Sequence, residues 1–242
     1  MTNKVVRRPV RGPIKRQALN IIVRRGIRIG TVLDVGVLDG TPELKAHFPS
    51  AFHLLFEPVA ELNAVIARNY RGIRHEIANV AVSDKSGETR LWLERLFDVQ
   101  GVEFSHSHIA AAAQPAPDGY VQRTVPMTTL DDFLRDRDLP EPYLLKIDID
   151  GHELAAIAGA TETLRKCAVV MVEAQVAELP QRISAVASQG FVLFDLVEPC
   201  YYDHALWQCD ALFLREDVHR AHFADFAAGF DKSKYSMFTG FA

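Results

Sequence analysis

The chain is poor in cysteine: three in 242 residues, Cys167, Cys200 and Cys209, with no C-x-x-C pair. An odd number of scattered thiols gives no metal framework and fits a reducing compartment. No apolar run approaches the ~20 residues needed to span a bilayer. The longest apolar stretch near the N-terminus, Ala18-Leu19-Asn20-Ile21-Ile22-Val23, is short for a signal-peptide core and is flanked by arginines. A soluble, cytoplasmic protein is therefore expected. Internal repeats are absent. So is G-x-G-x-x-G, which argues against a nicotinamide-dependent dehydrogenase.

What is present is ordinary for a globular chain, 48% hydrophobic and 24% charged, and long enough for one sizeable α/β core. The net charge of −4 hides an asymmetry. Nine of the 27 cations, and none of the 31 carboxylates, lie in residues 1–28: Lys4, Arg7, Arg8, Arg11, Lys15, Arg16, Arg24, Arg25 and Arg28. Such an arm meets a phosphate, a nucleic acid or an anionic surface, or docks on its own acidic body. The division expected is a basic arm or helix over 1–28, a main domain over 29–216, and a C-terminal helical tail over 217–242. In that tail Phe223, Phe226 and Phe230 recur at helical spacing, for core packing or a homo-oligomer interface.

From Thr31 short apolar runs alternate with helical patterns, the mark of βαβ units in a mostly parallel, doubly wound sheet. Strands are expected at Thr31–Val35, Phe52–Glu57, Ile73–Val82, Glu88–Leu93, Tyr143–Ile149, Ala168–Glu173, Phe191–Val197 and Asp210–Leu214. Helices are expected after Thr41, over Val59–Tyr70, from Thr129, over Gly151–Arg165 and over Leu179–Ser188. Residues 97–120 carry weak pattern and read as a loop insertion containing His106 and His108.

Three constellations carry chemistry. In Val32-Leu33-Asp34-Val35-Gly36-Val37-Leu38-Asp39-Gly40 a strand runs into a G-x-x-x-G turn. Gly36 and Gly40 there either admit a ligand close to the backbone or serve as plain turn glycines. Glu57 ends the second strand before Pro58. A carboxylate at that place accepts the hydroxyls of a ribose, unless it only starts a helix. The third constellation is Lys146-Ile147-Asp148-Ile149-Asp150-Gly151-His152-Glu153. Five ionisable residues within eight positions after an apolar strand are costly unless paired or used. Alternation sends Lys146, Asp148 and Asp150 to one side of that strand.

With these motifs, and with Ala81-Val82-Ser83-Asp84-Lys85-Ser86-Gly87-Glu88, Thr129-Leu130-Asp131-Asp132-Phe133, Val172-Glu173 and Asp210-Ala211-Leu212-Phe213-Leu214 in order, residues 30–215 resemble the FkbM-type methyltransferases. The resemblance implies a seven-stranded class I methyltransferase sheet, Rossmann-like, with helices on both faces. It implies S-adenosylmethionine as cofactor and O-methylation of a sugar, polyketide or other small hydroxylated acceptor. It places Asp34, Gly36, Val37 and Gly40 under the methionine part and Glu57 with Pro58 at the ribose. Asn79, Ala81 and Val82 fall near the adenine, and Asp148, Asp150 and His152 face the methyl beside Lys146. Two departures stand out: Val37-Leu38-Asp39 fills the first glycine turn, and Asp150 replaces the usual glutamate.

Two routes would activate an acceptor hydroxyl. His152 or Asp148 acts as general base, or Asp148 and Glu173, at adjacent strand ends, hold Mg²⁺. Trp92, Trp207, Tyr201 and Tyr202 would stack on a ring or pack in the core. The alternatives are a nucleic-acid methyltransferase using the basic arm and a non-catalytic cofactor-binding protein of the same fold. Against the former, the body is acidic and lacks interleaved aromatic and basic residues.

Overall fold

A computed structural model of the chain describes residues 11–99, 102–109 and 118–238. In chain order the elements are α1 (Lys15–Arg24), β1 (Thr31–Val35), α2 (Pro42–His47), β2 (Phe52–Phe56), α3 (Asn63–Asn69), β3 (His75–Ala78), β4 (Ala81–Val82), β5 (Gly87–Val99), β6 (Val102–Ile109) and β7 (Tyr120–Thr128). Then follow α4 (Leu130–Leu134), β8 (Tyr143–Ile147), α5 (Glu153–Ala158), α6 (Thr161–Arg165), β9 (Cys167–Gln175), α7 (Leu179–Ala187), β10 (Phe191–Tyr202), β11 (Ala205–Arg215) and α8 (Glu216–His222).

Seven strands form the main sheet in the order β10-β11-β9-β8-β1-β2-β3. Strands β1, β2, β3, β8 and β9 pair in parallel, and β11 runs antiparallel between β9 and β10. Every residue of β1 and of β8 is buried, as a parallel strand covered on both faces requires. Alternation divides their side chains. Leu33, Val35, Leu145 and Ile147 enter one core with Ala156, Ile157 and Val186 of α5 and α7. Val32 and Leu144 enter the other, with Ala18, Leu19 and Ile22 of α1 and Leu44 of α2. The expected doubly wound sheet is therefore the observed one.

A second sheet, β4-β7-β5-β6, lies beside α3 and shares a third core with it through Leu91, Leu93, Val125, Met127, Leu62 and Ile66. Here the structure corrects the reading of 97–120 as a loop. Its described part continues β5 to Val99 and pairs it with β6. Residues 110–117 lie outside the described residues. The single strand expected at Ile73–Val82 is broken at Asn79, so that β3 ends the main sheet and β4 starts the second. The helix expected over 151–165 is two helices. The carboxylate of Asp131 accepts the Glu162 and Thr163 amides (2.9 and 2.8 Å) and starts α6 anew.

The C-terminal tail is helical only to His222, apart from one 3₁₀ turn at Phe226–Ala228. Asp225 and Asp231 take the amides of Ala227 and Ser233 on their own carboxylates, and such local bonds compete with a helical ladder. Phe223 does pack, 5.1 Å from Phe194 between ring centres. Among the described residues no helix is long and apolar enough to cross a membrane.

The described part of the basic arm docks on the body. Arg11 pairs with Asp195, and the Lys15 amide donates to Glu198 (2.7 Å), whose own amide donates to Pro13 (2.9 Å). Lys4, Arg7 and Arg8 lie outside the described residues.

Candidate active site

A cavity of about 440 Å³ opens at the carboxyl ends of β1, β2, β8 and β9, the edge where parallel α/β sheets bind ligands. Its volume is within the ~300–1,000 Å³ of small-molecule sites.

The turn after β1 forms the floor, with Gly36, Val37, Leu38 and Gly40 in the lining. Both glycines hold a positive φ, 82° and 130°. The structure shows why neither carries a side chain. A Cβ on Gly36 would lie 1.8 Å from the carbonyl oxygen of Asp148, and one on Gly40 would lie 3.0 Å from the Tyr70 ring. The turn is thus drawn tight by the protein's own packing. Leu38 (φ 54°) and Asp150 (φ 52°) adopt the left-handed region without being glycine, and both line the cavity. Strained backbone of this kind costs ~1–3 kcal/mol and gathers at functional sites.

Glu57 follows β2 and is buried. One carboxylate oxygen accepts the Leu38 amide and the other the Val59 amide, each at 2.9 Å. Burial nevertheless outweighs these bonds and pushes its pKa up to about 7. Glu57 therefore ties the glycine turn to the second strand end while its carboxylate lies along the cavity wall. Pro58, Val80, Ala81, Val82, Leu91 and Phe56 continue that wall as an apolar surface.

The opposite end is ionic. Lys146 Nζ lies 3.2 Å from Asp34 and 3.3 Å from Asp148, and it donates to the Gly36 carbonyl (2.8 Å). Burial alone would lower the pKa of this ammonium, but Asp34 and Asp148 outweigh it and hold the charge. Asp148 and Glu173 are hydrogen-bonded to each other. Burial and the Asp148 charge push Glu173 up to about 9. Asp148, despite its burial, is held below the ordinary carboxylate range by Lys146 and by the Glu173 bond. The two carboxyl groups thus share one proton near neutral pH. Gln208 donates to Glu173, and Lys15 reaches in from α1 to pair with Asp210 at 2.7 Å.

The structure separates three expected site residues from the cavity. Asp34 is fully buried beneath it, between Lys146 and the Tyr70 hydroxyl (3.3 Å). The amide of Asn79 donates to the Glu57 carbonyl (2.8 Å) and exchanges bonds with Asn63, which holds the break between β3 and β4. His152, expected to face the methyl, stands just before α5 and bonds Ser83 Oγ (2.8 Å), because the turn at Asp150 and Gly151 re-aims the chain after β8. Asp150 lines the cavity from that turn, as a residue past the strand's end.

The expected magnesium pair gains no support. Among the described residues no group of three or more His, Cys, Asp or Glu is arranged to hold a metal ion. Asp148 lies beside Lys146, and Glu173 accepts from Gln208.

Sequence reasoning missed Lys15, Gln175 and Gln208 as lining residues, and Arg182 as a support. Arg182 forms a buried ion pair with Glu153, which also accepts the amides of Ile149 (3.2 Å) and Gly151 (3.1 Å). This pair fixes the loop that carries Asp148 and Asp150. Arg182→Met leaves Glu153 buried without its partner, so urea denaturation is expected to find the variant less stable by ~3–5 kcal/mol. A loss under 1 kcal/mol would contradict the assignment. Trp92 lies in β5 opposite Gln122, away from the cavity lining. His106 and His108 fall in β6, and their side chains lie outside the described ones.

The family model described as the methyltransferase FkbM domain matches residues 34–194. An 89-residue stretch is 26% identical to the hexuronic acid methyltransferase AglP of Haloferax volcanii, covering 37% of this chain and 37% of that protein. The structure resembles that of methyltransferase FkbM from Methylobacillus flagellatus KT with a TM-score of 0.50 and 15% identity, over 85% of this chain and 48% of that one. The matches thus span less than half the length of either relative. The family match covers the glycine turn, Glu57, the Lys146–Glu153 segment and Glu173, and on it the chain belongs to the FkbM methyltransferase domain family.

Proposed function

We propose that the protein is an S-adenosylmethionine-dependent O-methyltransferase acting on a hydroxyl of a small acceptor such as a sugar, a glycoconjugate or a polyketide-type natural product. One observation carries this reading. A single cavity joins a tight glycine turn and a buried strand-end carboxylate to the ionic cluster of Lys146, Asp148 and Glu173. The residues fit the cofactor. Glu57 offers a carboxylate to two ribose hydroxyls, and the apolar wall from Val80 to Val82 suits a flat base. A lining with more carboxylates than cations suits a sulfonium. The cofactor brings a methyl group already activated for in-line displacement, which leaves the protein to align the acceptor and take its proton.

Asp148 is the proposed general base. Its carboxylate lines the cavity and stays ionised beside Lys146, so it can take the acceptor's hydroxyl proton as the oxygen attacks the methyl group. Lys146 keeps its proton and holds Asp148 in place. The role is not given to His152, whose ring bonds Ser83 Oγ instead. The test is incubation with isotope-labelled S-adenosylmethionine and a panel of hydroxylated acceptors, read by mass spectrometry. Transfer of the label to an acceptor oxygen supports the reading, and transfer to nitrogen or carbon overturns the O-methyl assignment.

Glu57 also fixes a pH dependence. Two ribose hydroxyls donate to the two oxygens of the carboxylate, and protonation turns one of those acceptors into a donor. Affinity for S-adenosylhomocysteine is therefore expected to rise by up to about tenfold per pH unit below 7 and to level off above it. Equilibrium dialysis from pH 5.5 to 8.5 measures this, and a flat profile would contradict the role given to Glu57. In the free protein the sign is opposite. The folded state keeps a proton that the unfolded state loses at about 4.5, so the contribution of Glu57 to stability falls as pH rises from there to about 7.

A further inference from the structure

His152 stands in the same segment as Asp148 and Asp150, yet the proposed chemistry leaves it without a task. Its ring reaches across to the end of β4. Nε2 lies 2.8 Å from Ser83 Oγ, and Ser83 Oγ also bonds Asp84 Oδ1 at 3.0 Å. A carboxylate only accepts and a hydroxyl has one proton, so that proton goes to Asp84. Nε2 is therefore the donor to Ser83. Burial lowers the pKa of the ring against the pull of Asp84 and Glu153, which leaves it neutral near pH 7 with its lone pair on Nδ1. The trio is no nucleophile: the carboxylate bonds the serine and not the ring, and Ser83 is only 1% exposed.

Ser83 is a firm post for this bond. Its amide donates to the Thr128 carbonyl (2.9 Å), and its own carbonyl packs so closely on Gly159, just past α5, that a Cβ there would lie 2.1 Å away. Ser83 directly follows β4, whose Ala81 and Val82 line the cavity beside Val80. His152 directly follows the turn of Asp150 and Gly151, and Asp148, Ile149 and Asp150 belong to the same lining. The bond thus ties together two parts of the cavity that are 69 residues apart in the chain. The turn it holds is strained, since Asp150 is left-handed without being glycine. Such backbone persists only where its surroundings over-determine it. Glu153 holds the Ile149 and Gly151 amides from within the segment, and His152 fastens the segment to β4.

Resting on the methyltransferase reading above, we propose that His152 is a positioning residue: by donating from Nε2 to Ser83 it couples the wall assigned to the adenine to the loop of Asp148 and Asp150. The bound cofactor then fixes the loop that carries the general base.

Hydrogen exchange of the full chain, with and without S-adenosylhomocysteine, reads this coupling. In the parent the ligand is expected to slow exchange of the amides over 149–152 severalfold. In His152→Ala and in Ser83→Ala that slowing should vanish, while the dissociation constant of the ligand stays within about threefold of the parent value. His152→Gln keeps a side-chain N–H donor and should restore it. With the acceptor found in the label-transfer panel, either alanine variant should lose kcat by about tenfold to a hundredfold with little change in KM for S-adenosylmethionine. The double variant should be no worse than the singles, because all three lack the same bond. The proposal is overturned if the ligand leaves the loop of the parent unchanged, if it slows the loop equally in the alanine variants, or if His152→Gln behaves as His152→Ala. Nitrogen NMR of the parent that places the imidazole proton on Nδ1 would overturn it too, whatever the variants do. Failure of S-adenosylhomocysteine itself to bind the parent would overturn the underlying methyltransferase reading instead.

Discussion

Replacing Asp148 by asparagine is expected to reduce methyl transfer by ~10²–10⁴-fold, the usual contribution of a positioned general base. The substitution keeps the side chain's shape, so the cavity stays intact. It removes the carboxylate that lines the acceptor end beside Lys146. Glu173 alone is a poor substitute at neutral pH, because burial favours its protonated form. Binding should divide in a telling way. Lys146 would keep its charge against Asp34 alone, leaving this end of the cavity one negative charge poorer. S-adenosylmethionine, whose sulfonium is positive, should therefore lose more affinity than S-adenosylhomocysteine, whose thioether is neutral. The second should stay within about threefold of the parent value. Rapid-quench turnover, together with both dissociation constants, measures this. Full activity in Asp148→Asn would remove the base from the mechanism.

Replacing Glu57 by alanine should do the reverse. Two hydrogen bonds from ribose hydroxyls to a buried carboxylate contribute ~1.5–3 kcal/mol each, so the dissociation constant for the cofactor should rise by ~10²–10⁴-fold. Part of that loss is indirect. The Leu38 and Val59 amides lose their acceptor, and the tight turn carrying Gly36 and Gly40 is released from the second strand. Glu57→Gln keeps one oxygen and should fall between the two. At saturating S-adenosylmethionine the turnover of either variant should return to within a few fold of the parent, since nothing at the acceptor end has changed. A kcat that stays low at saturation would mean that Glu57 acts on the chemistry as well.

How far the sequence foretold this arrangement depended on whether a residue's role was local. The β8 strand was legible because it is a short apolar run whose one charged member, Lys146, is immediately followed by carboxylates. Glu57 was legible because a strand end, a charge and a proline coincide. Gly36 was legible as a turn but not for its cause, since the Asp148 carbonyl that crowds it comes from more than a hundred residues away. Lys15 carried no local signal at all. Its place in the cavity follows from the docking of α1 through Arg11, Pro13 and Glu198. His152 was drawn toward the chemistry by its nearness in sequence to Asp148, but two successive left-handed residues, Asp150 and Gly151, turn it to Ser83. The β6 strand escaped notice because hydrogen bonding to β5, and not an apolar period, defines it. The carboxyl pair was read as a metal site because two acids stand at adjacent strand ends, but the sequence could not show that Lys146 and Gln208 stand beside them.

One titration bears on all of this most directly: S-adenosylhomocysteine into the purified full-length chain by isothermal calorimetry at pH 8, without added metal. A saturable isotherm with one site per chain, lost in Glu57→Ala and kept in Asp148→Asn, is the result that the glycine turn and the buried carboxylate call for. No heat with either the methyl donor or its demethylated product would contradict the cofactor site at its root.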